Sequence, residues 1–282
     1  MNLKDIQIRD PFVVVENDTY HLFGSTDKDI WKPAGTGFDA YTSRDLHEFD
    51  GPFPVFRPPP DFWSVRNFWA PEVYKTENGD YIMFATFLPK TGCRGTAALK
   101  SAGAILGPYL PWSDGPLTPH DWECLDGTLY YEGGVPWMVF CHEWQQIGNG
   151  EICAMPLNRD LRTAAGKPSI LFRAGDAAWA APLKGRTPGS YVTDGPFLWR
   201  LDENNLIMLW SSFGEDGRYR LGIARSKTGL LAGPWQQDAA PFFAADGGHG
   251  MLFHSLEGKL LLALHTPNAT PHERALFVET VL

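Results

Sequence analysis

The 282-residue chain has no apolar run approaching the ~20 residues that cross a bilayer as a helix. Its N-terminus, MNLKDIQIRDPF, lacks the charged start and apolar stretch of a secretion signal, so with Met1 as the native start the expected setting is the cytoplasm. Cysteine is scarce: Cys93, Cys124, Cys141 and Cys153 form no CxxC pair and no Cys/His zinc pattern, and reduced structural thiols are expected. Basic residues are in deficit, 24 against 33 acidic, and a net charge of −9 excludes the electrostatic footprint of a nucleic-acid or anionic-membrane partner. That balance favours a neutral or small ligand. No Ser/Gly linker, charge block or low-complexity stretch divides the chain, so one domain over residues 1–282 is expected.

What is present is a repeat. Five times an apolar segment runs into a turn and then into a second apolar segment: PFVVVENDTYHLFGST from Pro11, PEVYKTENGDYIMFATF from Pro71, GTLYYEGGVPWMVFCHEW from Gly127, PFLWRLDENNLIMLWSSF from Pro196 and GMLFHSLEGKLLLALHTPN from Gly250. The centres, Asn17-Asp18, Asn78-Gly79, Gly133-Gly134, Asn204-Asn205 and Glu257-Gly258, are residues that tolerate the positive φ of hairpin turns. Flanking Val, Ile, Tyr, Phe, Trp and Leu suit a pleated, packed surface. Second halves of the repeat follow in DAYTSRDLHEFDGPF from Asp39, GTAALKSAGAILGPY from Gly95 and YRLGIARSKTGLLAGPW from Tyr219. GEICAMPLNRDLRTAAGKP from Gly150 is a divergent copy, and FVETVL at the C-terminus is the remnant of a fifth. The pattern predicts an all-β, five-bladed β-propeller. A β-sandwich lacks this double-hairpin recurrence, and propellers of the WD or kelch type have signatures absent here and shorter repeats, of ~40–50 residues.

In a propeller, residues ahead of each innermost strand and residues ending the next strand converge on one face of the axis. The first set is Asp10, Asp126, Asp194 and His249; the second includes Ser25, His142, Glu143, Trp144, Ser211, Ser212 and His265, with Trp69 and Glu72 added from NFWAPEV. Three Asp leading three innermost strands are the sharpest signal, because a carboxylate at the mouth of a buried strand is costly unless it is functional or ion-paired. Opposed carboxylates, one ionised to activate water and one protonated to release a leaving group, are what glycoside hydrolysis needs.

The motifs RDPF (Arg9 to Phe12), FWAPEV (Phe68 to Val73), LDG (Leu125 to Gly127), TDGPFL (Thr193 to Leu198) and GGHGMLF (Gly247 to Phe253), one per blade in order, give a chain that resembles glycoside hydrolase family 43, five-bladed propeller enzymes acting on arabinose- and xylose-containing polysaccharides. The resemblance implies that Asp10 is the general base and that Asp126 orients the acid and tunes its pKa. The family's acid is usually Glu in EGP, whereas this chain has Asp194 in TDGP. A side chain one methylene shorter retreats by ~1.5 Å, so Glu143 stands as a second candidate acid, with pairing to a nearby Arg as its alternative role. His249 corresponds to an axial histidine that contacts a cation, often calcium, through water; the alternative is a histidine hydrogen-bonded to backbone. No cofactor is required by the chemistry, and a structural Ca2+ near the axis is the one ion the resemblance implies. Trp31, Trp69 and Trp144 are candidates for stacking on a sugar, with core packing as the alternative for each. Glu72 and Ser211 are further candidate substrate contacts, and Arg66, Arg94 and Arg274 candidate donors to sugar hydroxyls.

The expectation is an inverting, exo-acting glycosidase on short α-L-arabinofuranosyl or β-xylosyl oligosaccharides. The alternatives are an endo-arabinanase or galactan-acting member of the same family, and a carbohydrate-binding propeller whose acid has degenerated.

Overall fold

The computed structural model describes residues 1–32 and 34–282. Its strands group into five antiparallel sheets, each ordered from the first strand outward. Blade 1 holds β1 (Arg9–Glu16), β2 (Thr19–Ser25), β3 (Phe38–Ser43) and β4 (Phe49–Phe56); blade 2 holds β5 (Ser64–Lys75), β6 (Tyr81–Pro89), β7 (Gly95–Ala104) and β8 (Gly107–Pro111). Blade 3 is β9 (Cys124–Glu132), β10 (Val135–His142), β11 (Glu151–Pro156) and β12 (Ser169–Arg173); blade 4 is β13 (Asp194–Asp202), β14 (Asn205–Phe213), β15 (Tyr219–Ser226) and β16 (Trp235–Gln237). Blade 5 has three strands, β17 (Gly248–His254), β18 (Leu260–Thr266) and β19 (Arg274–Glu279), so the segment around FVETVL is the third strand of this blade. The sheets form a ring, and the fold is a five-bladed β-propeller.

Four of the five hairpin turns are built on positive φ as expected: Asn17 and Asp18 lie at 51° and 55°, Gly133 and Gly134 at 58° and 76°, Gly79 at 84° and Gly258 at 79°. The fourth hairpin differs. There Asp202 makes the turn, accepting from the Asn204 N–H at 2.8 Å and from the Asn205 side chain at 2.5 Å, and Asn205 already belongs to β14. An Asx turn does the work that a left-handed Asn pair was expected to do.

Apolar residues fill the spaces between neighbouring blades. Phe38, Phe56, Phe62, Phe68 and Phe87 form a nest between blades 1 and 2, with Phe68 and Phe87 centroids 5.0 Å apart at 77°. Trp179, from the long β12–β13 loop, packs on Trp210 of blade 4. Middle strands are buried on both faces because blades cover them on either side, as in Leu206 to Ser212 of β14; outer strands such as β4 alternate. The ring closes where β1 meets blade 5: Arg9 pairs with Glu273 at 2.9 Å, and Arg274 Nε donates to the Lys4 carbonyl at 2.7 Å.

Each innermost strand carries a bulge near its start, where the register with its partner shifts. One residue per bulge is left-handed: Asp10 (φ 53°), Ala70 (47°), Asp126 (55°), Gly195 (52°) and His249 (51°). A bulge re-aims a side chain toward the axis. This corrects the sequence alignment of the blades. The position equivalent to Asp10 and Asp126 is Gly195, not Asp194, and in blade 2 it is Ala70.

Candidate active site

At four of these bulges the backbone N–H is held by a side chain ending the second strand of the preceding blade. Ala70 N donates to Ser25 Oγ and Asp126 N to Thr86 Oγ1, both at 2.8 Å; His249 N donates to Ser211 Oγ at 2.8 Å and Asp10 N to His265 Nδ1 at 3.2 Å. At Gly195 the acceptor is Asp126 Oδ2, at 3.0 Å. These contacts lock blade to blade and explain why small polar residues end the second strands. They also place Ser211 and Ser212 away from the cleft: both are fully buried, and Ser211 serves His249 rather than a substrate.

The bulges surround a cavity of about 320 Å³ lined by Asp10, Asp126, Glu143, Asp194 and His249, with Trp31, Trp69 and Trp144 among its walls. Arg94 lines it as well; Arg66 and Arg274 do not. Glu72 lies outside the lining, its carboxylate accepting from the Tyr74 hydroxyl, and burial pushes it up to about 7.

Asp10 is 7 % exposed. Its Oδ2 accepts from Ser25 Oγ at 2.6 Å, and its Oδ1 faces His249 Nδ1 at 3.2 Å and Arg9 Nε at 3.9 Å. Burial alone would raise its pKa, but the His249 and Arg9 cations outweigh burial and hold the carboxyl well below the usual range. His249 is the reciprocal case: burial opposes its charge, yet Asp10 and Asp126, the latter 3.7 Å from Nδ1, lift it to about 9. Burial and the negative charge of Asp10 raise Asp126.

Asp194 Oδ2 accepts from Tyr219 Oη at 2.9 Å. Burial, then the charges of Asp126 and Glu143, push it up to about 8 against the Tyr219 hydrogen bond. Glu143 immediately precedes the short helix Trp144–Ile147, and its carboxylate pairs with buried Arg94 at 3.2 Å. Burial raises it to about 7 although Arg94 works in the opposite direction. A carboxyl that must arrive protonated is poorly served by a paired guanidinium, so of the two candidate acids Asp194 has the better surroundings.

Trp31 is 62 % exposed at the rim. Its Nε1 donates to Thr270 Oγ1 at 3.2 Å, its ring meets the edge of Trp69 at 5.3 Å, and Arg9 lies 5.8 Å from its centroid. Trp69 is nearly buried beneath Arg94, whose guanidinium is 4.8 Å from the ring. Trp144 faces Arg186 at 5.8 Å across the mouth. Arg9, Glu273 and Tyr219 were not singled out from sequence; Arg9 and Glu273 are 264 residues apart, and only closure of the ring joins them.

A cation near His249, implied by the resemblance, finds no direct ligand set: among the described residues no three His, Cys, Asp or Glu side chains are grouped to hold one. His249 Nδ1 is already engaged by Asp10. The donors present do not fit a directly ligated ion.

The geometry brings into one aromatic-walled cavity a carboxyl whose cationic neighbours favour its charge, Asp10, and one whose surroundings oppose it, Asp194. The family model of glycosyl hydrolases family 43 matches residues 4–281. The solved structure of an endo-arabinase from Bacteroides thetaiotaomicron VPI-5482 is 37% identical, with 100% of this chain and 97% of that one covered and a TM-score of 0.91. An α-L-arabinofuranosidase from Lactobacillus brevis shares the fold at 17% identity (100% and 94% covered, TM-score 0.76), as does an endo-1,4-β-xylanase from Bacteroides thetaiotaomicron VPI-5482 at 20% (98% and 91%, TM-score 0.75). Comparison with curated proteins finds no match. The chain belongs to glycoside hydrolase family 43.

Proposed function

We propose that the protein hydrolyses α-L-arabinofuranosyl linkages of short oligosaccharides with inversion, Asp10 acting as base and Asp194 as acid. The observation that carries this reading is that two carboxyls lining one cavity are pushed in opposite directions, buried Asp10 held well below the usual range and half-buried Asp194 raised to about 8. Asp10 takes a proton from a water whose oxygen bonds to the anomeric carbon. The bond from that carbon to the glycosidic oxygen breaks, and Asp194 delivers its proton to the leaving oxygen. Asp126 holds the Gly195 N–H at 3.0 Å and so fixes the backbone that carries Asp194.

Similarity to an endo-arabinase supports arabinose over xylose as the sugar. The cavity, about 320 Å³, is at the small end of the ~300–1,000 Å³ of small-ligand sites, which supports engagement of a chain end. A second reading, attack within a chain, is favoured by that same neighbour and by exposed Trp31, a platform where further sugars would stack. Aryl arabinofuranosides, xylosides and galactosides, together with product sizes from a linear α-1,5-arabino-oligosaccharide, test both readings. Arabinose as the sole early product supports exo action, and mixed short oligosaccharides support endo action. Turnover of xylosides or galactosides alone would overturn the arabinose assignment.

A further inference from the structure

The Asp194 carboxyl and the Asp10 backbone are joined by a buried bridge that the two-carboxylate mechanism does not require. Tyr219, at the start of β15, is 1 % exposed and donates from Oη to Asp194 Oδ2 at 2.9 Å. Its ring stacks on His265, with centroids 5.6 Å apart and planes at 18°. His265, fully buried at the end of β18, accepts the Asp10 backbone N–H on Nδ1 at 3.2 Å and lies 3.3 Å from Asn268 Oδ1 through Nε2. Burial, aided by Arg9, pushes this imidazole down to about 3. It is therefore neutral, with its proton on Nε2 for Asn268 and its lone pair on Nδ1 for Asp10.

Neither ring of the bridge is free to drift. Phe213 packs on Tyr219 at 5.2 Å, and the Tyr219 backbone N–H is bonded to Asp246 Oδ1 at 3.1 Å. Asp246 Oδ2 also accepts from the Asn268 N–H at 3.3 Å, so one carboxylate ties both ends of the stack. Gly248 in GGHG leaves room for the ring: a Cβ there would lie 2.6 Å from Tyr219 Cε1.

We propose that Tyr219, braced on His265, is a positioning residue that sets where the short Asp194 side chain presents its proton relative to Asp10. The inference rests on the proposed function. Asp194 reaches less far than the glutamate usual in its motif, so its aim depends on what holds it. Tyr219 engages Oδ2, while Oδ1 has no hydrogen-bond partner among the described residues and is left to face the glycosidic oxygen. The hydroxyl also stabilises the carboxylate that remains once the proton has left.

Kinetics of wild type, Tyr219→Phe, Asp194→Ala and the double variant on 4-nitrophenyl α-L-arabinofuranoside and on unactivated α-1,5-arabinotriose test this, with melting temperatures as the control for folding. Tyr219→Phe keeps the stack and is expected to lower kcat on arabinotriose about ten- to a hundredfold while changing the aryl glycoside rate less than about threefold. In the Asp194→Ala background the same change is expected to do no further harm on arabinotriose, since the hydroxyl acts through that carboxyl. Equal losses on both substrates, no loss on either, or full additivity with Asp194→Ala would each overturn the positioning role. Wild type that turns over neither substrate would overturn the proposed function and the inference with it, whereas wild-type turnover with additive variants would overturn the inference alone.

Discussion

Gly195→Ala probes the packing that holds the site together. Gly195 lies at φ +52°, and a Cβ added there would stand 2.7 Å from His249 Cγ, 2.8 Å from Cδ2 and 3.0 Å from Nδ1. The imidazole has little room to yield: its Nδ1 is 3.2 Å from Asp10 and 3.7 Å from Asp126, and its backbone N–H is tied to Ser211 at 2.8 Å. Left-handed backbone costs a non-glycine residue ~1–2 kcal/mol, and forcing a methyl against a fixed ring adds ~1–3 kcal/mol, so a destabilisation of about 2–5 kcal/mol is expected. Gly258→Ala separates the two contributions. Gly258 has φ +79° with nothing within 4 Å of its added Cβ, so that variant carries backbone strain alone. Urea denaturation with unchanged m-values gives both numbers. Displacing His249 also loosens the cation beside Asp10, so Gly195→Ala is expected to lose most of its activity while Gly258→Ala keeps its own. A Gly195→Ala protein no less stable than Gly258→Ala and fully active would refute the steric argument.

Asp194→Ala is expected to cut hydrolysis of unactivated glycosides about 10²–10⁴-fold and to spare activated aryl substrates, whereas Glu143→Gln lowers both alike; parallel kcat measurements distinguish them, and leaving-group dependence confined to Glu143→Gln would transfer the acid role to Glu143. With Asp10 as the proposed base and Asp194 as the proposed acid, the active form has the first ionised and the second protonated. In a pH profile, kcat/KM is therefore expected to fall as pH rises through about 8, where Asp194 loses its proton, and to persist below the ordinary carboxylate range of ~4 on the acid side, because Asp10 is held down. A basic limb that survives unchanged in Asp194→Ala would assign it to another group.

The hairpins were legible because turn chemistry and alternation are local, and so were Asp10 and Asp126, which are themselves the left-handed bulge residues. Asp194 was legible as a residue but not as a position. The bulge is a backbone event, and with Ala at 70 and Gly at 195 it leaves no common side chain to align. Ser211 was misplaced for the same kind of reason: the strand end it occupies points at the neighbouring blade's backbone, and only the ring geometry shows that the hydroxyl is already engaged. Tyr219, Arg9 and Glu273 act through partners that closure of the propeller brings together, and no local pattern signals such pairs.

The proposed inversion requires that water, activated by Asp10, attack opposite the leaving group in a single displacement. Proton NMR of the first-formed sugar, recorded before mutarotation, tests it most directly. From an α-L-arabinofuranoside, inversion gives β-L-arabinose as the initial product; initial α-L-arabinose would show a covalent glycosyl-enzyme route and overturn the roles proposed for Asp10 and Asp194.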